Sequence, residues 1–322
     1  MRGSIIKKVL NITIGIFTGG GITWLLFKDS SIGFNSLGAL ARYDLLLNVI
    51  LLKLIVIMLL SYRWKMVLRY NEINQCFFDS IKFILIGHSL MMVIPGVAAQ
   101  DLAKIAGTIH TSKSSKQHIK ILSLAVLDRL LGVVALFLSS IFLILVYFIY
   151  EYIALEVSQL NKLLAVVLFA CFLSLSILAV LYFILSKTNN LFFHFKKINT
   201  FLLKVSKIIT YLNMIKIKKI IIGVSMLAHI INALIVVIVV KEFNSEIHVL
   251  INIIFGLISN FGNFFPLTPG GLGVTESVFM YLYSYVDYNN GVVIGVSYRL
   301  LSYTSFIVLT FIILVASYFK RA

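Results

Sequence analysis

The sequence predicts an all-α membrane protein: a polytopic helix bundle with about six spanning helices and two re-entrant hairpins in an inverted-repeat arrangement. Three observations predict it. Of 322 residues, 60% are hydrophobic and 12% charged, with a mean hydropathy of +1.02, whereas roughly a quarter are charged in an ordinary soluble domain. Charge-free runs long enough to cross about 30 Å of hydrocarbon recur from end to end. Three prolines, Pro95, Pro266 and Pro269, interrupt two apolar segments, and a membrane helix accepts such breaks only where protein or a wet cavity satisfies the freed backbone. This excludes a soluble globular protein and leaves no stretch polar enough to fold as a separate aqueous domain. Residues 1–322 therefore read as a single membrane domain, with a first half of about 1–186, a basic segment 187–219 and a second half of about 220–322.

The first span is 9–27. Arg2, Lys7 and Lys8 precede it as in a signal peptide, but Gly19, Gly20 and Gly21 interrupt the run and no small-residue cleavage site follows, so it reads as a retained anchor. Further spans are expected at 44–61, 121–149, 162–186, 220–240 and 292–318. The net charge is +16, and most of the 28 basic residues fall in five places: the N-terminus, a 62–82 loop, 104–120, 187–219, and Lys320 with Arg321. All five land on one side. Opposite them stand Lys28, Arg42, Lys162 and Lys241 among Asp29, Asp44, Glu151, Glu156, Glu242, Glu246 and Asp287. The positive-inside rule then places both termini in the cytoplasm, in a plasma or inner membrane. Topology and anionic headgroups account for the basic balance without nucleic acid.

Within 187–219, Leu191, Phe195, Ile198, Leu202, Val205, Ile209 and Leu212 form one apolar stripe among lysines. Such a helix lies in the cytoplasmic headgroup layer or packs as a linker, and the sequence allows both. Cys76 and Cys171 are isolated, which argues for neither a metal site nor a disulfide framework.

Residues 81–109 hold about 14 apolar residues, a Pro95-Gly96 break, and a small-residue stretch with Asp101 and Lys104. Both flanks are basic, so the segment is expected to enter from the cytoplasm, turn within the bilayer and return. Residues 247–286 repeat the design around PLTPGGLGVTE, from Pro266 to Glu276, with acidic outer flanks. Its arms of about 18 residues leave re-entry and full spanning both open. The order break, acid, arginine is written twice: Pro95-Gly96, Asp101 and Asp128-Arg129, then Pro269-Gly270, Glu276 and Arg299. Opposite entry sides make this an inverted repeat of the kind whose binding sites form at discontinuous helices.

Half-helix N-termini inside a membrane offer unpaired N–H groups to an anionic headgroup, and Gly270, Gly271 and Gly273 allow the backbone to turn and approach it. A packing turn is the alternative. Lys53, Asp101, Asp128, Arg129, Glu276 and Arg299 are ionisable in apolar surroundings and need partners or a wet cavity. Arg129 with Asp101 and Arg299 with Glu276 are the favoured pairs, with cross-pairing between the halves allowed, and all of these charges also suit purely structural ion pairs. His88, His229, Asn232, Asn260 and Asn263 read mainly as interhelical hydrogen-bonding groups.

HSLMMVIPGVAAQD from His88, LDRLLG from Leu127, and PLTPGGLGVTE followed by YRLL around Arg299 resemble the lysylphosphatidylglycerol synthase transmembrane-region family. The resemblance implies a two-hairpin membrane fold and movement of a lipid between leaflets. It also links such chains to glycolipid, cell-wall or surface-polysaccharide pathways. One departure stands out: Ala98-Ala99-Gln100-Asp101 and Lys104 replace the Gly-Glu and following arginine of the family's first motif, and a lysine lacks the bidentate fork.

The leading expectation is a flippase or scramblase for a phospholipid or glycolipid with an anionic or phosphate-bearing headgroup. Arg129 and Arg299 would engage phosphate, while Asp101 and Glu276 hold the arginines or an amino group. Asp128, Lys104, Pro95, Gly96, Pro269, Gly270, Gly271 and Gly273 complete the candidate binding residues. An ion-coupled solute transporter and a scaffold for a membrane glycosyltransferase are the alternatives. No HExxH, GxSxG or nucleotide-loop pattern occurs, so no catalytic residue, metal or cofactor is expected.

Overall fold

The computed structural model describes residues 42–92, 98–112, 117–154, 159–187, 218–243, 246–262, 268 and 271–319. All regular structure in them is helical: α1 Tyr43–Arg69, α2 Phe77–Met91, α3 Ala98–Thr111, α4 His118–Ala154, α5 Gln159–Lys187, α6 Lys218–Glu242, α7 Val249–Gly262, α8 Val274–Ser284 and α9 Gly291–Phe319. Five of these, α1, α4, α5, α6 and α9, contain stretches long and apolar enough to cross a membrane. The chain is thus a multi-pass membrane helix bundle. The expected span at 9–27 and the apolar stripe from Leu191 to Leu212 lie outside the described residues.

The outward faces explain why these helices need lipid. On α1, Leu47, Leu51, Ile55, Met58 and Tyr62 are exposed at helical spacing, while Val49, Lys53, Ile57, Trp64 and Leu68 are buried. On α9 the exposed stripe is Ile307, Phe311, Leu314 and Tyr318. A helix in water carries polar residues on such a face.

Two expectations are corrected. The basic loop at 62–82 shrinks to 70–76, because α1 continues through Arg69 and α2 begins at Phe77. The α1 core stripe continues there through Trp64, Val67 and Leu68, and Arg63 stays in the helix because it finds a buried partner. The arms of the second hairpin, expected at about 18 residues, hold helices of 14 and 11 residues. Gly271 and Gly273 at φ 72 and 84 break the backbone before α8, and a turn with Asp287 at φ 53 follows it. At 1.5 Å per residue these helices measure about 21 and 17 Å, short of a bilayer core.

The chain forms two compact units. The first takes α1 to Met58, α2 from Ile81, α3 to Lys104, α6 from Ala228, and all of α7, α8 and α9. In it, α8 packs against both α7 and α9. Gly291 and Gly295 make the α8–α9 contact possible: a Cβ on Gly291 would sit 2.6 Å from the Phe279 carbonyl oxygen, and one on Gly295 3.1 Å from Glu276 Cα. Small residues four apart let membrane helices approach this closely. Phe255 and Tyr283 meet edge to face at 5.0 Å, and the Tyr283 hydroxyl donates to Asn252 Oδ1 at 2.7 Å. In the first hairpin, a Cβ on Gly87 would lie 2.7 Å from the Gln100 carbonyl oxygen, so α2 and α3 lie against one another. Arg42 joins Asp44 at 2.6 Å and Glu242 at 3.1 Å, which puts the start of α1 and the end of α6 together. The second unit takes α1 from Leu59, α3 from Ile105, α4, α5 and α6 to Leu227, with α4 and α5 packed along each other.

Candidate functional site

Gly291, Gly295 and Arg299 recur every four residues, so they share one face of α9, the face that holds α8. That spacing delivers the arginine to the glycine-rich turn. Arg299 Nε donates to Glu276 Oε1, and its Nη2 donates to Glu276 Oε2 at 3.0 Å and to the Gly271 carbonyl oxygen at 2.8 Å. Nη1 reaches the Tyr303 hydroxyl at 3.2 Å. Glu276 Oε2 also accepts the Gly273 N–H at 2.8 Å, while the N–H groups of Val274 and Thr275 both donate to the Gly271 carbonyl at 3.1 Å. Of the favoured pairings, Arg299 with Glu276 is therefore present. The start of α8, expected to offer N–H groups to a headgroup, is met by the chain's own carboxylate and carbonyl. Arg299 and Glu276 act as a buckle that fixes the turn.

A second cluster in the same unit lies deeper. Lys53 is ten residues into α1, about 15 Å along it, and only 3% exposed. Its Nζ donates to Asn232 Oδ1 at 2.8 Å and stands 5.2 and 4.9 Å from the ring centroids of Tyr298 and Phe306. Asn232 Nδ2 donates to the Tyr298 hydroxyl at 2.8 Å and to Asn260 Oδ1 at 3.4 Å. Residues of α1, α6, α7 and α9 thus meet around one ammonium group, and among the described residues no carboxylate pairs with it. The His88 ring lies 4.7 Å from Phe306, donates from Nδ1 to the Ile84 carbonyl at 2.9 Å, and accepts at Nε2 from the Gln100 amide at 2.9 Å. On α3, Lys104 is buried and pairs with Asp101 at 3.1 Å. Lys104, counted from the sequence both with the basic stretch 104–120 and beside Asp101 in the apolar segment 81–109, is thus a buried residue.

In the second unit Asp128 takes a partner that sequence reasoning missed. Arg63 Nε and Nη2 donate to its two carboxylate oxygens at 2.7 and 3.0 Å, and Nη1 donates to Ser225 Oγ at 3.2 Å. A Cβ on Gly132 would lie 3.0 Å from Arg63 Nη1. Asp128 and Gly132 are four apart, so the LDRLLG motif presents a carboxylate and a gap on one face of α4, cut for the guanidinium. Arg63 hid in an assumed loop, although the α1 core stripe passes through it. The neighbouring Arg129 is half-buried.

Among the candidate residues, the structure gathers Gly271, Gly273, Glu276 and Arg299 at one turn, Asp101 with Lys104, and Asp128 with Arg63. Pro95, Gly96, Pro269 and Gly270 lie outside the described residues. Lys53 was visible as a charge within a span, but its partner Tyr298 and the Gln100 beside His88 carried no sequence signal.

A family model described as "Lysylphosphatidylglycerol synthase TM region" matches residues 12–311 of the chain. No curated protein gives a match.

Proposed function

The chain belongs to the lysylphosphatidylglycerol synthase transmembrane-region family, as an integral membrane protein of lipid or envelope metabolism, and from that premise we propose that it moves the phosphate-bearing headgroup of a phospholipid or glycolipid across the bilayer. The observation that carries this reading is Lys53. A cation at membrane depth is held by a neutral amide and two ring faces, and a charge so placed calls for an anion. A headgroup phosphate supplies one while its acyl chains stay in lipid. Asn232 and Tyr298 orient the ammonium, and the Arg299–Glu276 buckle holds the broken backbone of the second hairpin. The short α7 and α8 support a re-entrant path, since neither is long enough to span. The charge distribution supports cytoplasmic termini.

The test is reconstitution into liposomes with headgroup-labelled phosphatidylglycerol or phosphatidylethanolamine, followed by dithionite quenching. Wild type is expected to speed exchange, and Lys53→Met to slow it by about tenfold or more while remaining folded. Equal rates for wild type, variant and protein-free vesicles would remove the lipid reading. Lys53-dependent uptake of a soluble anion without lipid exchange would support the solute-transporter alternative.

A further inference from the structure

The end of α1 that carries Lys65 and Arg69 borders a pocket of about 310 Å³, lined also by Ile73, Asn74, Gln75 and Cys76. That volume is at the small end of ligand sites. Lys65 and Arg69 are four apart on one face of α1, and neither pairs with a carboxylate among the described residues. Glu72 and Asp79 stand nearby in sequence and form no ion pair with either. Lys65 instead lies 5.8 Å from the centroid of the Phe77 ring.

Gln75 supplies the second, independent observation. It is 8% exposed, and its amide nitrogen Nε2 is buried without a hydrogen-bond partner. Its oxygen is committed: Trp64 Nε1 donates to Thr108 Oγ1 at 3.3 Å, and Thr108 Oγ1 donates to Gln75 Oε1 at 3.0 Å. The relay fixes the amide so that two N–H donors remain for something else. A buried donor left unmade is costly, so a ligand that accepts hydrogen bonds fits here. The first turn of α2 begins immediately after Cys76 and adds its partial positive charge.

Two uncompensated cations, an orphaned amide donor and a helix N-terminus around one cavity make an acceptor-rich anion the complementary ligand. We propose that this pocket binds a phosphate group, and that its source is the headgroup of an anionic lipid. The depth favours lipid: Lys65 lies 22 residues beyond Tyr43, about 33 Å along α1, which is where a hydrocarbon core of about 30 Å gives way to headgroups. The site is separate from the Lys53 cluster and stands without the transport reading.

Cys76 provides a reporter, because it is exposed and lines the pocket while Cys171 is buried. In the full chain with Cys171→Ala, the rate of Cys76 modification by a neutral maleimide is measured in detergent against dioctanoyl-phosphatidylglycerol, dioctanoyl-phosphatidylcholine and inorganic phosphate. Saturable protection by phosphatidylglycerol is expected. The concentration for half-protection should rise at least about tenfold in Lys65→Gln/Arg69→Gln, and also in Gln75→Glu, which keeps the oxygen that Thr108 needs. A folded profile by gel filtration is required of each variant, and Gln75→Glu decides should the double variant misfold. Protection by inorganic phosphate with the same variant dependence, and none from lipid, would overturn the lipid source. Protection unchanged in the variants, or equal for phosphatidylcholine and phosphatidylglycerol, would overturn the site.

Discussion

Removing the charge of Asp128 is the sharpest test of how the second unit is held. Both oxygens of this carboxylate are taken by Arg63, with side-chain exposures of 3% for the aspartate and 10% for the arginine. Asp128→Asn keeps the shape but leaves a buried guanidinium with Ser225 Oγ and no counter-charge. Breaking a buried pair from one side costs about 3–5 kcal/mol, or roughly a hundredfold to several-thousandfold in the ratio of folded to unfolded protein. Replacing both partners by apolar residues of similar size, Arg63→Met with Asp128→Leu, removes the two charges together. Ser225 still donates to the Ile221 carbonyl at 2.8 Å, so the double variant should fall within about 1 kcal/mol of wild type. Reversible unfolding in mixed micelles, titrated with dodecyl sulfate and followed by circular dichroism, measures both. If Asp128→Asn unfolds with wild-type stability, or the double variant is as weak as the single, the reasoning fails.

Lys53→Met should retain or gain stability by about 1 kcal/mol, since it removes a buried cation without counter-charge, while the liposome assay loses activity; this opposition separates a functional charge from a structural one. Gly291→Ala pushes a Cβ against the Phe279 carbonyl at 2.6 Å, and overpacking against backbone should cost about 1–3 kcal/mol in the same micelle titration. Arg299→Lys keeps the charge but gives up the fork on Glu276 and the contacts to Gly271 and Tyr303; a loss of about 1–3 kcal/mol is expected, and wild-type stability would show that the buckle matters only as a charge. Gly273→Ala, at φ 84, should cost about 1–2 kcal/mol and leave the Lys53 cluster unchanged.

The long helices were legible because hydrocarbon imposes a length and a composition on each span independently of its neighbours. The pair Arg299 and Glu276 was legible too, since both charges lie in apolar surroundings near one turn. Arg63 was not: three basic residues at 63, 65 and 69 imitate the flank of a span, and the apolar stripe through Trp64, Val67 and Leu68 that sets apart the one pointing inward is hidden among them. Lys104 was read both in the basic stretch 104–120 and beside Asp101 in an apolar segment, and its burial against Asp101 fits the second. The length of α8 was hidden because apolar residues continue on both sides of it, past Gly271 and Gly273 and up to Asp287, where positive φ breaks the backbone. LDRLLG carried a true signal, but its meaning as a carboxylate and a gap depends on a guanidinium 65 positions earlier in the chain.

By itself the sequence determined that this chain is a helical membrane protein, the centres of its described spans, and that Lys53, Asp128 and Arg299 bear charge inside them, because each of these follows from the local cost of putting polar groups into lipid. Only the tertiary structure decided which charges neutralise one another and which stand without a counter-charge among the described residues. Arg63 is consumed by Asp128 and Arg299 by Glu276, whereas Lys53 is held by an amide and two rings. The difference lies in which helix face meets which, and that is set by packing between segments far apart in the chain.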